Sequence, residues 1–433
     1  MHRGASATYV QCSLRLVLCY ESAFRNLHQT IMQSSTAHTD PHSLSAFLVF
    51  LGAAFAFSVV MIGTTMPTPL YPIYQDAFGF SQLMITIIFA AYAFGVIAAL
   101  VITGRWSDQL GRRPLLFAGI VCSIISDLVF WQADGLAMIL VGRVLSGLSA
   151  GIFTGTATVA VLELAPPHWR ERATFFATAA NMGGLGLGPM LAGALSQYLP
   201  SPLELTYLIH IALALLAFIC IWRAPETVTR PTQPKLSLQR LNVPPEVRGV
   251  FVPAAIAGFA GFAVCGFFTS IAPAMMGKVL GYDNRLLVGV VAGSIFIAST
   301  LGQFLQGKLP LRLRLPIGCA TLVAGVTPVA LGIHFQSLTL FMAGAVIAGM
   351  GQGIAFRAGL GAINAACPPA ERAAVTSTFF IVAYIAISVP VIGIGLMASL
   401  LSLKATGIIF SVFVGFMAAV ALLILLWRDH RTN

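Results

Sequence analysis

Gly104-Arg-Trp-Ser-Asp108-Gln-Leu-Gly111-Arg112-Arg113-Pro114 separates two long apolar runs, 82–103 and 114–133. Its glycines permit backbone angles that other residues rarely adopt, so the segment reads as a tight turn. Its aspartate stands beside arginines with which it can form an ion-pair latch. Each flanking run holds about the ~20 apolar residues that a helix needs to cross a ~30 Å hydrocarbon layer. The stretch is therefore a short polar loop between two membrane spans.

Twelve such runs fill the chain, at approximately 46–66, 82–103, 114–133, 136–157, 173–195, 205–222, 249–273, 286–306, 315–333, 338–358, 373–400 and 405–426. Hydrophobic residues make up 58% of the 433 and charged residues only 9%, with a mean hydropathy of +0.89. A soluble domain carries about 25% charged residues. A core able to bury so much apolar surface would leave too little polar surface for water, so lipid is the solvent. The net charge of +10 does not gather into the stripe that a nucleic acid requires, and no nucleic-acid partner is expected. The seven cysteines show no metal-ligand spacing, and five lie in or beside apolar runs, where Cys behaves as a small hydrophobe.

Sixteen Lys and Arg residues fall on the side of the 104–114 loop, among them Arg105, Arg170, Arg223, Lys308 and Arg372. Only Lys278, Arg285 and Lys404 fall on the other. This asymmetry predicts that the loop, both termini and the 223–248 segment are cytoplasmic in a cell membrane. Residues 1–44 do not fit the span pattern and read as an N-terminal extension or as the product of a start placed too far upstream, with Met32 as the alternative. A six-helix bundle is expected over 45–222, a Pro-rich linker over 223–248, a second bundle over 249–427 and a cytoplasmic tail over 428–433.

An internal repeat with an offset of 202 residues supports the two-bundle division. Gly79 matches Gly281, Arg112 matches Arg314, and Gly147 and Gly151 match Gly349 and Gly353. Pro166-Pro167 matches Pro368-Pro369, Arg170 matches Arg372, and Gly193 matches Gly395. One register carries loop arginines and run boundaries together, which chance agreement of Gly and Pro would not. Six spans per half is an even number, so both halves enter from the same side, as parallel repeats do. Such halves can rock about a central pathway, which is the physical basis of alternating access.

The loop resembles the signature of the major facilitator superfamily, G-x-x-x-D-x-x-G-R-[RK], at every fixed position. The resemblance extends over about residues 45–427 and implies an all-α membrane protein of twelve transmembrane helices in two six-helix bundles. By that resemblance Gly104, Asp108, Gly111, Arg112, Arg113 and Glu163 form a cytoplasmic gating loop. Asp108 would face the start of the eleventh helix and Arg112 would reach Glu163. The alternative is that these residues only shape a solvated turn.

Gly184-Leu-Gly-Leu-Gly188-Pro189-Met-Leu-Ala192-Gly193 is similar to the family's antiporter motif, G-x-x-x-G-P-x-x-G-G, with Ala192 in place of a glycine. The resemblance implies membership of the twelve-helix drug:proton antiporter branch and hence export. Small-residue packing and a kink at Pro189 are the bland alternative. Arg143 opens a run similar to the family's R-x-x-x-G-x-x-x-G pattern. Asp127, on the preceding span, lies at a similar depth from the 133–135 turn. A charge inside a span costs at least ~2.5–3.5 kcal/mol on insertion scales and is usually paired. An Asp127–Arg143 ion pair is expected, either as a proton-coupling element or as a static brace.

His210, alone in its run, reads as a packed polar residue rather than a proton relay, and Arg357 reads as snorkelling to the loop side. Tyr92, Asn181, Gln303 and Gln352 are candidates for the substrate cavity, with helix–helix hydrogen bonding as the other use of the amides. The chain lacks a Walker loop, an H-E-x-x-H and a G-x-S-x-G, so no cofactor, metal or catalytic centre is expected. The expected activity is secondary transport, as proton-coupled efflux of a small organic compound. The alternatives are a symporter or facilitator importing a sugar or organic acid and, in another class, a channel or membrane enzyme. Protons, a small-molecule substrate and the bilayer are the expected partners, and a monomer suffices.

Overall fold

The computed structural model describes residues 41–432; of the extension expected over 1–44, residues 1–40 lie outside them, while 41–44 are helical and begin the first helix. The membrane helices are α1 (Pro41–Thr65), α2 (Gln82–Thr103), α3 (Arg112–Trp131), α4 (Leu136–Glu163), α6 (Pro202–Arg223), α7 (Pro245–Ser270), α8 (Arg285–Leu305), α9 (Arg314–His334), α10 (Leu338–Ala366), α11 (Arg372–Leu400) and α12 (Leu403–Thr432). Eleven helices among the described residues are long and apolar enough to cross a membrane.

The fifth span differs from the continuous helix expected over 173–195. It is built of two α-helical pieces, α5a (Arg170–Thr178) and α5b (Gly184–Tyr198), joined by a π-helical turn at Ala179–Gly183. Neither piece crosses alone, but together they run from Arg170 to Tyr198, ample at ~1.5 Å per residue. Single π turns inside helices often mark functional positions.

Several of the matched residues have a structural cause. Gly79 caps the short helix Tyr71–Phe78 at φ +68°, and Gly281 lies in the turn just after the short helix Ala272–Lys278 at φ +78°, a region that disfavours any side chain. Arg112 and Arg314 are the first residues of α3 and α9. A Cβ at Gly147 would meet the Tyr92 carbonyl of α2 at 2.1 Å, and one at Gly349 the Ile295 carbonyl of α8 at 2.3 Å. The α2–α4 crossing is thus repeated as α8–α10.

Within the first six spans α4 packs on α2 and α3, and α6 packs on α3; within the second six, α10 packs on α8, α9 and α7. Two seams join the halves, α5b against α8 and α2 against α11. The repeat-related Gly193 and Gly395 lie one in each seam, facing the Arg285 carbonyl and Thr86. Large apolar side chains such as Phe94, Leu215, Val412 and Phe416 face outward, a surface suited to acyl chains and unsuited to water.

Candidate functional site

The 104–114 loop folds into a charged knot. Arg112 Nη1 donates to Asp108 Oδ1 at 2.5 Å and to Ser107 Oγ at 2.7 Å, while Nη2 stands 3.3 Å from Glu163 Oε1 at the end of α4. Asp108 turns to Arg112 rather than to the first turn of α11. Both Gly104, at the end of α2, and Arg372, at the start of α11, line a cavity on this side.

The connector, expected from sequence as a Pro-rich linker, supplies Glu226 to this knot. Its carboxylate accepts the backbone N–H groups of Arg112 at 2.8 Å and Arg113 at 3.2 Å. Gly111, at φ +100°, offers no side chain to cap α3, so Glu226 fills that role from 114 residues away. Burial would raise the Glu226 carboxyl, but the N–H groups of Arg112, Val228 and Arg113 and the Arg230 side chain hold it below its ordinary value. Glu226 is the lone carboxylate between 224 and 244, the one signal that could have marked it. The connector also donates Gln239 N–H to the Val101 carbonyl at 2.8 Å.

The expected Asp127–Arg143 pair does not form. Asp127 Oδ2 lies 2.6 Å from His210 Nδ1, with both side chains buried. His210 Nε2 lies 2.8 Å from the Val59 carbonyl, an acceptor only, so that nitrogen carries a proton. One further proton is then shared between Nδ1 and the carboxylate, and the pair is neutral overall. His210 is thus the partner of Asp127, not a lone packed residue, and its ring fills the space over Gly63.

Arg143 turns the other way. Its Nη1 donates to the Thr64 carbonyl at 2.8 Å, at the end of α1 where Pro67 has no N–H to offer the last turn. Its Cζ lies 4.7 Å from the Tyr92 ring centroid and 5.6 Å from that of Phe89. A desolvated cation over such faces gains about 2 kcal/mol. The α1 turn from Val59 to Thr64 therefore touches the Asp127–His210 pair and Arg143.

A vestibule of about 700 Å³ is lined by Gly104, Thr154, Asn181, Gln303, Arg357 and Arg372 among others, a volume within the ~300–1,000 Å³ usual for small-molecule sites. It shares Thr154, Asn181, Met182 and Phe380 with a deeper aromatic pocket that adds Phe89, Tyr92, Phe262, Phe296 and Tyr384. Tyr92, Asn181 and Gln303 thus line the cavity system, and Asn181 sits in the π turn. Gln352 does not: it is buried, accepts from Ser299 Oγ at 2.5 Å and lies against Gly261, a helix–helix bond inside the second half. Arg357 lines the vestibule and donates to the Gln303 carbonyl at 3.3 Å.

On the side opposite the loop the seams are closed. The motif glycines let α5b lie against two helices: Gly184 and Gly188 against α1, Gly193 against α8. Pro189 cannot donate to the Leu185 carbonyl one turn back, and Thr65 Oγ1 does so instead at 2.8 Å. Arg285 ties the end of α5b to α8, donating to the Ser196 carbonyl at 2.8 Å. The cavity therefore opens toward the loop side.

Comparison with known proteins agrees with this architecture. The sequence pattern of the Major Facilitator Superfamily matches residues 53–389. The quinolone resistance protein NorA of Staphylococcus aureus (strain MRSA252) is 22% identical over 247 residues, 56% of this chain and 62% of that protein. The match therefore spans less than two thirds of that relative's length. A bacterial homolog of the human lysosomal transporter Spinster, inward-facing and unoccupied, superposes with a TM-score of 0.71 at 16% identity over 89% of this chain and 97% of that one. The D-xylose–proton symporter superposes with a TM-score of 0.71 at 16% identity, over 88% and 97%. At such identities the structural likeness speaks for the fold alone. With its signature loop, its repeated six-span halves and a family match over most of its length, the chain belongs to the Major Facilitator Superfamily and is a multi-pass membrane protein.

Proposed function

We propose that the protein exports small lipophilic organic compounds in exchange for protons across a bacterial cell membrane, with the 104–114 loop and both termini in the cytoplasm. The observation that carries this reading is the lining of the deeper pocket. Phe89, Tyr92, Phe262, Phe296, Phe380 and Tyr384 surround it, with only Thr side chains and Asn181 as further polar groups. A sugar would leave most of its hydroxyls without partners there, at about 1–3 kcal/mol each, whereas an aromatic or aliphatic body fits. The quinolone resistance protein among its relatives supports the same direction of transport.

Proton coupling is assigned to the Asp127–His210 pair, with Arg143 of α4, bound to the α1 carbonyl of Thr64, as the neighbouring cation. Uptake of a second proton by the pair would remove the charge attraction between Asp127 and His210 and leave a net positive site, loosening the α1 turn, which also lines the pocket through Met61, Thr64 and Thr65. The 108–112–163 knot would hold the loop-side ends of the first half in one arrangement and part in the other. The test uses reconstituted vesicles with an imposed pH gradient and a panel of fluorescent lipophilic solutes. Solute movement with matching proton flux, lost in Asp127→Asn, supports the exporter. Gradient-independent uptake of sugars without solute movement would replace it by a facilitator.

A further inference from the structure

The charge of the cavity wall narrows the substrate class, taking the exporter reading as its starting point. The vestibule carries the guanidinium groups of Arg357 and Arg372, and among the described residues no carboxylate lines either the vestibule or the aromatic pocket. Behind the pocket wall stands a third cation. Arg143 is 1% exposed, and its charge lies directly behind the Phe89 and Tyr92 rings that face the cavity. Its Nε has no hydrogen-bond partner among the described residues. The Thr64 carbonyl and the two ring faces stabilise this cation without cancelling its charge. Asp127, the one carboxylate buried at this depth among the described residues, is engaged by His210 instead.

A lipophilic cation entering this cavity would meet three positive groups and no counter-charge, in a setting where low dielectric lengthens the reach of each. An apolar solute bearing an anion meets the opposite field. We infer that the transported compounds are amphipathic organic anions, with an aromatic or aliphatic body in the pocket and a carboxylate or sulfonate held at Arg357 on the vestibule wall. Arg357 is suited to this because it is half-buried, it engages only the Gln303 carbonyl among the described hydrogen bonds, and a guanidinium pairs two oxygens at once. Arg372, exposed at the mouth, draws the anion in. An interior-negative membrane potential then drives the anion outward, in the same direction as proton exchange.

The experiment uses the purified full-length chain in liposomes under one imposed pH gradient, with two dyes of similar aromatic bulk: anilinonaphthalene sulfonate and ethidium. The expected result is gradient-driven transport of the sulfonate and none of ethidium. Arg357→Gln should raise KM for the sulfonate by about tenfold, the loss of one charge-assisted bond pair, with kcat little changed, and Arg357→Lys should recover part of it. Preferential movement of ethidium would overturn the anion assignment while leaving the exporter standing, and so would a sulfonate KM unaffected by Arg357→Gln. Failure of both dyes to move would overturn the exporter reading and this inference with it. The wild-type comparison needs no variant, so a misfolded Arg357→Gln cannot leave the question open.

Discussion

Asp127 and His210, on α3 and α6, meet at 2.6 Å inside the first six-helix half and bury their side chains completely enough to exclude water. Removing one member strands the other as an unpaired polar group in the membrane core, whereas removing both leaves an apolar contact. His210→Phe alone should therefore destabilise the protein by about 3–5 kcal/mol, and His210→Phe combined with Asp127→Leu by far less. Thermal unfolding in detergent checks this, and the double variant should still fail to couple transport to protons. A double variant as unstable as the single one would show that the pair is not an isolated unit.

Thr65 compensates for Pro189. Thr65→Val keeps the volume but leaves the buried Leu185 carbonyl without a donor, which costs about 1–3 kcal/mol. In a Pro189→Ala background the restored N–H can serve that carbonyl, so the same Thr65→Val change should cost much less. A double-mutant cycle on unfolding temperature measures the coupling. Additive effects would mean that Thr65 stabilises α5b by packing alone.

Gly289 lets α8 approach α5b on the closed side. An added Cβ would lie 2.2 Å from the Pro189 carbonyl, a backbone atom that cannot step aside. Gly289→Ala should hold this seam open and slow transport by about tenfold, a bias of ~1.4 kcal/mol between the two arrangements. Spin labels at the exposed positions Tyr198 and Tyr282 should report a longer distance in the variant. An unchanged distance would place the rocking motion elsewhere.

Glu226 makes the cap of α3 sensitive to acid. Its folded-state carboxyl is held below the ordinary 4.5, so its contribution is fully present above that pH and is lost as pH falls through the lowered value. Hydrogen-exchange protection of the Arg112 and Arg113 amides should be steady above pH 4.5 and decline below it. Glu226→Gln should lower the protection at neutral pH and remove the acid step. An identical acid step in that variant would show that Glu226 is not its source.

Hydropathy and the 202-residue register determined by themselves that lipid is the solvent, that twelve spans form two equivalent halves, and where the conserved-offset turns fall. Those properties are local or periodic: an apolar run long enough to cross declares itself without reference to its neighbours. The pairings were decided only by tertiary structure. Residue number along a helix gives depth at ~1.5 Å per residue but not direction around the axis relative to other helices. Asp127 and Arg143 share a depth, yet α3 turns its carboxylate to His210 on α6 while α4 turns its guanidinium to Thr64 on α1. The same ambiguity put Gln352 among the cavity candidates with Asn181 and Gln303, although its side chain packs inside one bundle. In water a polar face would have marked each helix's orientation, but in lipid both the outward face and the packed face are apolar, so that mark is missing. Glu226 escaped for a different reason, since a cap supplied from 114 residues away leaves no trace near the helix that it completes.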